Sequence, residues 1–127
     1  MGEIWRPIDE TDGLYEVSNT GKVRSLNYGN TGMTKEVKAS PDRVTGYVKV
    51  RVKDRNDNVR TCLVHRLVAN AFIPNADGLP CINHKDEDKT NNHVDNLEWC
   101  TYKYNSNYGT AVLRANKTKL RKKLKNF

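Results

Sequence analysis

Residues 81–105 constrain this chain more than any other segment. They read Cys-Ile-Asn-His-Lys-Asp-Glu-Asp-Lys-Thr-Asn-Asn-His-Val-Asp-Asn-Leu-Glu-Trp-Cys-Thr-Tyr-Lys-Tyr-Asn. A short apolar run ends in a histidine, a loop dense in Asn and Asp follows, and a second apolar run at 97–101 leads into a polar stretch. The order predicts a strand at 81–84, a long polar turn and a return strand at 97–100 with Trp99 in the core. Thr101 is placed to N-cap a final helix carrying Tyr102, Tyr104, Asn105 and Tyr108. Folded so, the segment gathers one imidazole and several oxygen donors around a gap the size of a metal ion.

The preceding residues supply a scaffold. Residues 3–28 read as short strands, punctuated by Gly13, by Asn19-Thr20-Gly21 and by Gly29-Asn30-Thr31-Gly32. Gly46 opens the clearest strand. Val48, Val50 and Val52 alternate with Lys49, Arg51 and Lys53, so three cations share the face opposite the valines, together with Tyr47. That face is either a half-solvated hairpin exterior or a DNA-contacting surface. Residues 54–58 have turn chemistry, and 59–64 should return as the hairpin partner. Residues 64–73 have helical spacing, with Leu67, Val68, Ala71 and Phe72 in one apolar stripe and Pro74 as the stop.

Three blocks of the sequence resemble the HNH endonucleases of the phage and intron-encoded type. Asn83-His84, Asn96 and Asn105 look like that family's three stations. Val64-His65-Arg66-Leu67-Val68-Ala69-Asn70-Ala71-Phe72-Ile73-Pro74 is similar to the helix that precedes its site. Trp5-Arg6-Pro7-Ile8 and Tyr15-Glu16-Val17-Ser18-Asn19-Thr20-Gly21-Lys22-Val23-Arg24-Ser25 resemble the small N-terminal module that accompanies these nucleases. The resemblance covers roughly residues 3–108 and implies an α+β chain: a β-rich N-terminal module at 1–53 and a strand–strand–helix nuclease core wrapped on one metal ion at 54–110. Residues 111–127 lie outside it and read, from their charge, as a basic C-terminal helix or tail.

It also implies roles. His84 is the candidate general base, because an unperturbed imidazole titrates near pH 6.5 and a useful fraction is neutral at about pH 7. Asn83 and Asn105 stand where the family holds a divalent cation, magnesium first and manganese as the alternative. Asn96 either orients His84 or pins the loop. His65 reads as a packing or phosphate-contacting residue, and His93 as solvent-exposed. Strand alternation puts Asn83 and His84 on opposite faces, so only a bent strand end lets both serve one phosphate. Two departures stand out. Asn83 replaces the aspartate of some relatives, which leaves an all-amide cation site with Asp86 or Asp88 as alternative ligands. Glu87-Asp88 stands where relatives often carry glycine and asparagine, so a left-handed turn costs more.

Charge points to a polyanion. Eight of the 22 basic residues follow Glu98, where no acidic residue occurs, leaving 14 against 15 acidic ones elsewhere; the formal net charge of +7 thus comes from the C-terminal segment. Double-stranded DNA is the expected partner, gripped by Lys49, Arg51, Lys53, Arg66, Arg114, Lys117, Lys119, Arg121, Lys122 and Lys123. The leading expectation is a metal-dependent DNA endonuclease that nicks, or breaks both strands as a homodimer. The alternative is a DNA-binding protein that keeps the scaffold without cleavage; charge alone also supports an RNA-binding protein. No segment has the length of a membrane span or the look of a signal peptide, so a cytoplasmic setting in a bacterial or phage-infected cell is expected. Cys62, Cys81 and Cys100 form no Cys-x-x-Cys pair and read as buried thiols, with neither a disulfide framework nor a structural zinc site.

Overall fold

The computed structural model describes residues 3–108. Its fold is α+β, a β-rich N-terminal part followed by a strand–strand–helix unit. Four antiparallel strands open the chain in sequence order: β1 (Trp5–Pro7), β2 (Tyr15–Ser18), β3 (Val23–Tyr28) and β4 (Met33–Val37). A short β5 (Ser40–Pro41) pairs with β6 (Val48–Lys53), which pairs with β7 (Val59–Leu63). Helix α1 (Val64–Phe72) follows directly. The antiparallel ribbon of β8 (Cys81–His84) and β9 (Leu97–Cys100) then leads into α2 (Tyr102–Asn107).

Period-two alternation puts Val17, Val23, Val50 and Val52 inside, where they meet Val64, Leu67, Val68 and Ala69 of α1 and Ile82 and Leu97 of the ribbon in one core. Each fully buried valine contributes about 1.5–3 kcal/mol relative to exposure. The N-terminal strands and the C-terminal ribbon are therefore two sides of the same apolar cluster. At the rim, the Arg6 guanidinium lies over the Phe72 ring (4.8 Å to its centre) and donates to the Ala71 carbonyl (2.7 Å), tying β1 to the end of α1.

Helix α1 is capped at its C-terminal end by Ile73, just ahead of Pro74. Trp99 is half-buried, and its indole N–H donates to the Ile73 carbonyl at 3.0 Å, which fastens β9 to the end of α1. Thr101 caps α2 through its hydroxyl, which accepts from the Tyr104 N–H at 3.1 Å. All three thiols are free, with Cys81 directly across the ribbon from Cys100. Among the described residues, no helix is long and apolar enough to cross a membrane.

Candidate active site

Strand β8 ends on His84, and the chain turns at once. Lys85 N–H donates to the Asn96 carbonyl and Glu87 N–H to the His84 carbonyl. Glu87 takes the left-handed conformation, with φ of 63°. The tight turn is thus kept without glycine, at a cost of about 1–2 kcal/mol for a residue bearing a Cβ.

The loop beyond is wired through one amide. Asn96 Oδ1 accepts from the Asp86 N–H (3.0 Å), while its Nδ2 donates to Asp86 Oδ1 (2.9 Å) and to the Asn91 carbonyl (2.9 Å). Asn91 also donates to Asp86 Oδ2 at 2.7 Å. The Asn91 amide, then the Asp88 N–H and the Asn96 amide, hold the Asp86 carboxyl below the usual range. Asp88 is likewise lowered, chiefly by the Thr90 hydroxyl and N–H. Of the two arrangements open for Asn96 in the sequence, its hydrogen bonds are those of a loop pin. They run to Asp86 and Asn91, not to His84.

The partner of His84 is a different residue. Asn92 Oδ1 lies 2.8 Å from His84 Nε2, with both side chains buried, at 5% and 6% exposure. Asn92 is one of several asparagines in the polar loop, and no local signal in the sequence marks it. Two further rings pack against His84. His65 meets it edge-on with ring centres 5.1 Å apart, and Tyr47 lies 4.9 Å from His65 and 6.0 Å from His84. His65 is 6% exposed, and its Nδ1 has no hydrogen-bond partner among the described residues. Burial first, then the neighbouring His84 and Arg66, push its pKa down to about 4. It is therefore a neutral ring, used as a wall. Tyr47, expected on the cationic outer face, belongs to this cluster instead. It follows Gly46 (φ 78°) and precedes the first residue of β6, so strand alternation does not govern it.

These groups border a cleft of about 190 Å³ lined by Tyr47, Ile82, Asn83, His84, Glu87, Lys89, Asn105 and Tyr108. Asn83 and His84 line it together, despite the alternation that separates neighbours along a strand, because β8 stops there. Asn83 Nδ2 donates to Glu98 Oε1 across the ribbon at 3.2 Å, which leaves its Oδ1 for another partner. Lys89 reaches over the Tyr47 ring (4.7 Å to its centre) and donates to the Thr45 carbonyl (2.8 Å), placing a cation on the cleft wall that the sequence did not single out. The Tyr108 hydroxyl donates to the Lys85 carbonyl (2.7 Å) and fixes the end of α2 against the turn. Neither Asp86 nor Asp88 lines the cleft. His93 lies outside it, half-exposed, where its ring nitrogen accepts from the Asp95 N–H. A larger depression of about 380 Å³, bordered by Tyr15, Tyr28, Lys53, Asp54 and Asp57, contains none of the histidines.

The basic residues are more scattered. Arg51, Lys53 and Arg66 are exposed. Lys49 is half-buried and paired with Asp42 at 3.1 Å. Arg114, Lys117, Lys119, Arg121, Lys122 and Lys123, and with them the expected C-terminal helix or tail, lie outside the described residues.

Residues 62–107 match the HNH endonuclease family, and residues 3–53 match the NUMOD4 motif. A solved structure of DNA binding and cleavage by the HNH homing endonuclease I-HmuI shares the fold at a TM-score of 0.74 and 34% identity, over 97% of this chain and 68% of that one. The chain belongs to the HNH endonuclease family. The DNA endonuclease I-HmuI of Bacillus phage SP01 is 33% identical over 124 residues, 96% of this chain and 67% of that protein. An uncharacterized HNH endonuclease of Acanthamoeba polyphaga mimivirus is 39% identical over 123 residues, 97% of this chain but 34% of its own length. The chain thus spans about a third of the mimivirus protein and two thirds of I-HmuI. The HNH match covers β8, the Asn-rich loop, β9 and α2, which carry His84, Asn83 and Asn105, whereas the NUMOD4 match ends at Lys53, the last residue of β6.

Proposed function

We propose that this chain is a metal-dependent DNA endonuclease that hydrolyses phosphodiester bonds in double-stranded DNA, with His84 as general base. The observation that carries this reading is the convergence of His84, Asn83 and Asn105 on one cleft, with the Lys89 cation at its wall. Asn92 stands against Nε2 of His84, so Nδ1 is the nitrogen left to take a proton from water. His65 and Tyr47 limit the swing of the ring and keep its surroundings apolar. Lys89 offers a positive charge to a bound phosphate.

The donor set suits a hard divalent cation. Asn83 Oδ1 is released by the Nδ2 bond to Glu98, and Asn105 lines the same cleft from α2. Among the described residues, no three His, Cys, Asp or Glu side chains are grouped to hold a metal ion, so a cation here would draw on amide oxygens. Magnesium, which keeps several waters and takes further oxygens from substrate phosphate, fits such a sparse site, with manganese as the alternative. When bound, it would neutralise charge at the phosphate and assist the departing oxygen. One such cleft among the described residues corresponds to one strand cut per protomer, hence nicking, or a double-strand break by a pair of protomers. Arg51, Lys53, Arg66 and the C-terminal basic residues supply phosphate contacts. Residues 1–53 form the accessory module, and 54–110 the nuclease core.

The test is cleavage of supercoiled plasmid with magnesium and with chelator. Conversion to the nicked form that chelator abolishes supports the reading. Tight DNA binding with no conversion under either metal identifies a binding protein on an HNH scaffold.

A further inference from the structure

We infer that Asn92 is the positioning residue of His84, and that the N-terminal module holds Asn92 in place through Gly21. The inference rests on His84 being the base, but its geometry stands apart from catalysis. Asn92 Oδ1 faces His84 Nε2 at 2.8 Å, and a carbonyl oxygen only accepts, so the ring proton sits on Nε2. The contact fixes both the tautomer and the direction of the ring.

Asn92 lies in an irregular loop and has no helix or strand of its own to hold it. Its seat is the turn between β2 and β3. A Cβ on Gly21 would stand 3.0 Å from Asn92 Cβ and 3.1 Å from the Asn92 carbonyl oxygen. Glycine thus suits the position twice, for the close approach, where an added Cβ would push Asn92 aside by a few tenths of an ångström, and for its φ of 95°. Two residues away along each chain, the Val94 N–H donates to the Asn19 carbonyl at 2.8 Å and pins the same loop to the same turn. The β2–β3 turn of the N-terminal module therefore braces the residue that aims the base. The module becomes part of the active site, in addition to any DNA contact it makes.

The test reads the His84 ring proton by nitrogen-correlated NMR on the metal-free, DNA-free protein, alongside single-turnover cleavage at alkaline pH. The variants are Asn92→Ala, Asn92→Asp, Gly21→Ala and Gly13→Ala. Gly13 has φ of 80° with nothing within 4 Å of an added Cβ, so Gly13→Ala carries the same backbone strain without the close approach. The wild type should show a proton on Nε2 protected from solvent exchange. Asn92→Ala and Gly21→Ala should lose that protection and slow the cleavage step roughly 10- to 100-fold with DNA affinity unchanged. Asn92→Asp keeps an acceptor and should retain the proton, and Gly13→Ala should behave as wild type. A wild-type proton on Nδ1 would overturn the inference, as would an Asn92→Ala protein that keeps both the protected proton and the wild-type rate. The expected proton pattern in a protein that cuts no DNA would uphold the brace and count against the nuclease reading alone.

Discussion

His65 presents its ring to the edge of His84 with centres 5.1 Å apart, and its own Nδ1 is buried without a hydrogen-bond partner among the described residues. A charged imidazole there would lack both solvent and a counter-charge, so burial drives the pKa to about 4. The folded state thus binds a proton less readily than the unfolded chain. The stability this confers is complete above about pH 6.5 and is lost as the pH falls toward 4. The loss is on the order of 3 kcal/mol by the bottom of that range. Replacing His65 by leucine should flatten this acid slope. Urea midpoints measured across the window check it, and an unchanged slope in His65→Leu would place the acid sensitivity elsewhere.

The strand–turn–strand–helix order of residues 81–107 was legible because each strand is a short apolar run and Thr101 is a strong cap. The convergence of Asn83, His84 and Asn105 followed from the family's stations more than from periodicity, which set Asn83 and His84 on opposite faces. Strands β4 and β5 gave little signal, since all their side chains but Val37 are exposed and no apolar alternation marks them. Asn92 and Tyr47 were illegible for another reason. Their placement depends on Gly21 and His65, distant in sequence, and short-range patterns carry no trace of those neighbours.

The Asn83 amide donates to Glu98, so Asn83→Asp sets two carboxylates against each other. Without metal the variant should melt earlier than wild type. Magnesium should restore it, and to a greater extent than it stabilises wild type, because an anionic oxygen attracts a hard cation more strongly than an amide dipole. Asn105→Ala should need more metal for cleavage. Thermal shift against magnesium concentration reads the first effect and a metal titration of nicking the second. Identical titrations for all three proteins would move the cation away from this cleft.

Glu87 occupies a left-handed turn at φ of 63°. Glu87→Gly removes the Cβ conflict, worth about 1–2 kcal/mol, but adds backbone freedom to the unfolded chain and gives up the interaction of the Glu87 side chain. The opposing effects should leave the urea midpoint close to that of wild type, with unchanged slope. A fall of more than about 1 kcal/mol would show that the Glu87 side chain contributes more than its backbone costs.

Deleting residues 114–127 removes seven basic side chains and no acidic one. Affinity for duplex DNA should drop alike for all sequences. The slope of log affinity against log salt should become shallower by about 0.9 for each phosphate that the shortened protein no longer neutralises. Binding measured across a salt series decides this. An unchanged slope would shift the DNA grip to the exposed cations at Arg51, Lys53 and Arg66.

His84 is proposed as the base of a DNA-cleaving site. The most direct measurement of that role is the single-turnover nicking rate of His84→Ala on supercoiled plasmid with saturating magnesium, with DNA affinity measured on the same preparation. A general base contributes on the order of 10²–10⁴ in rate and little to ground-state binding. The rate should therefore fall by that factor while affinity stays near wild type. Cleavage by His84→Ala at the wild-type rate would contradict the account.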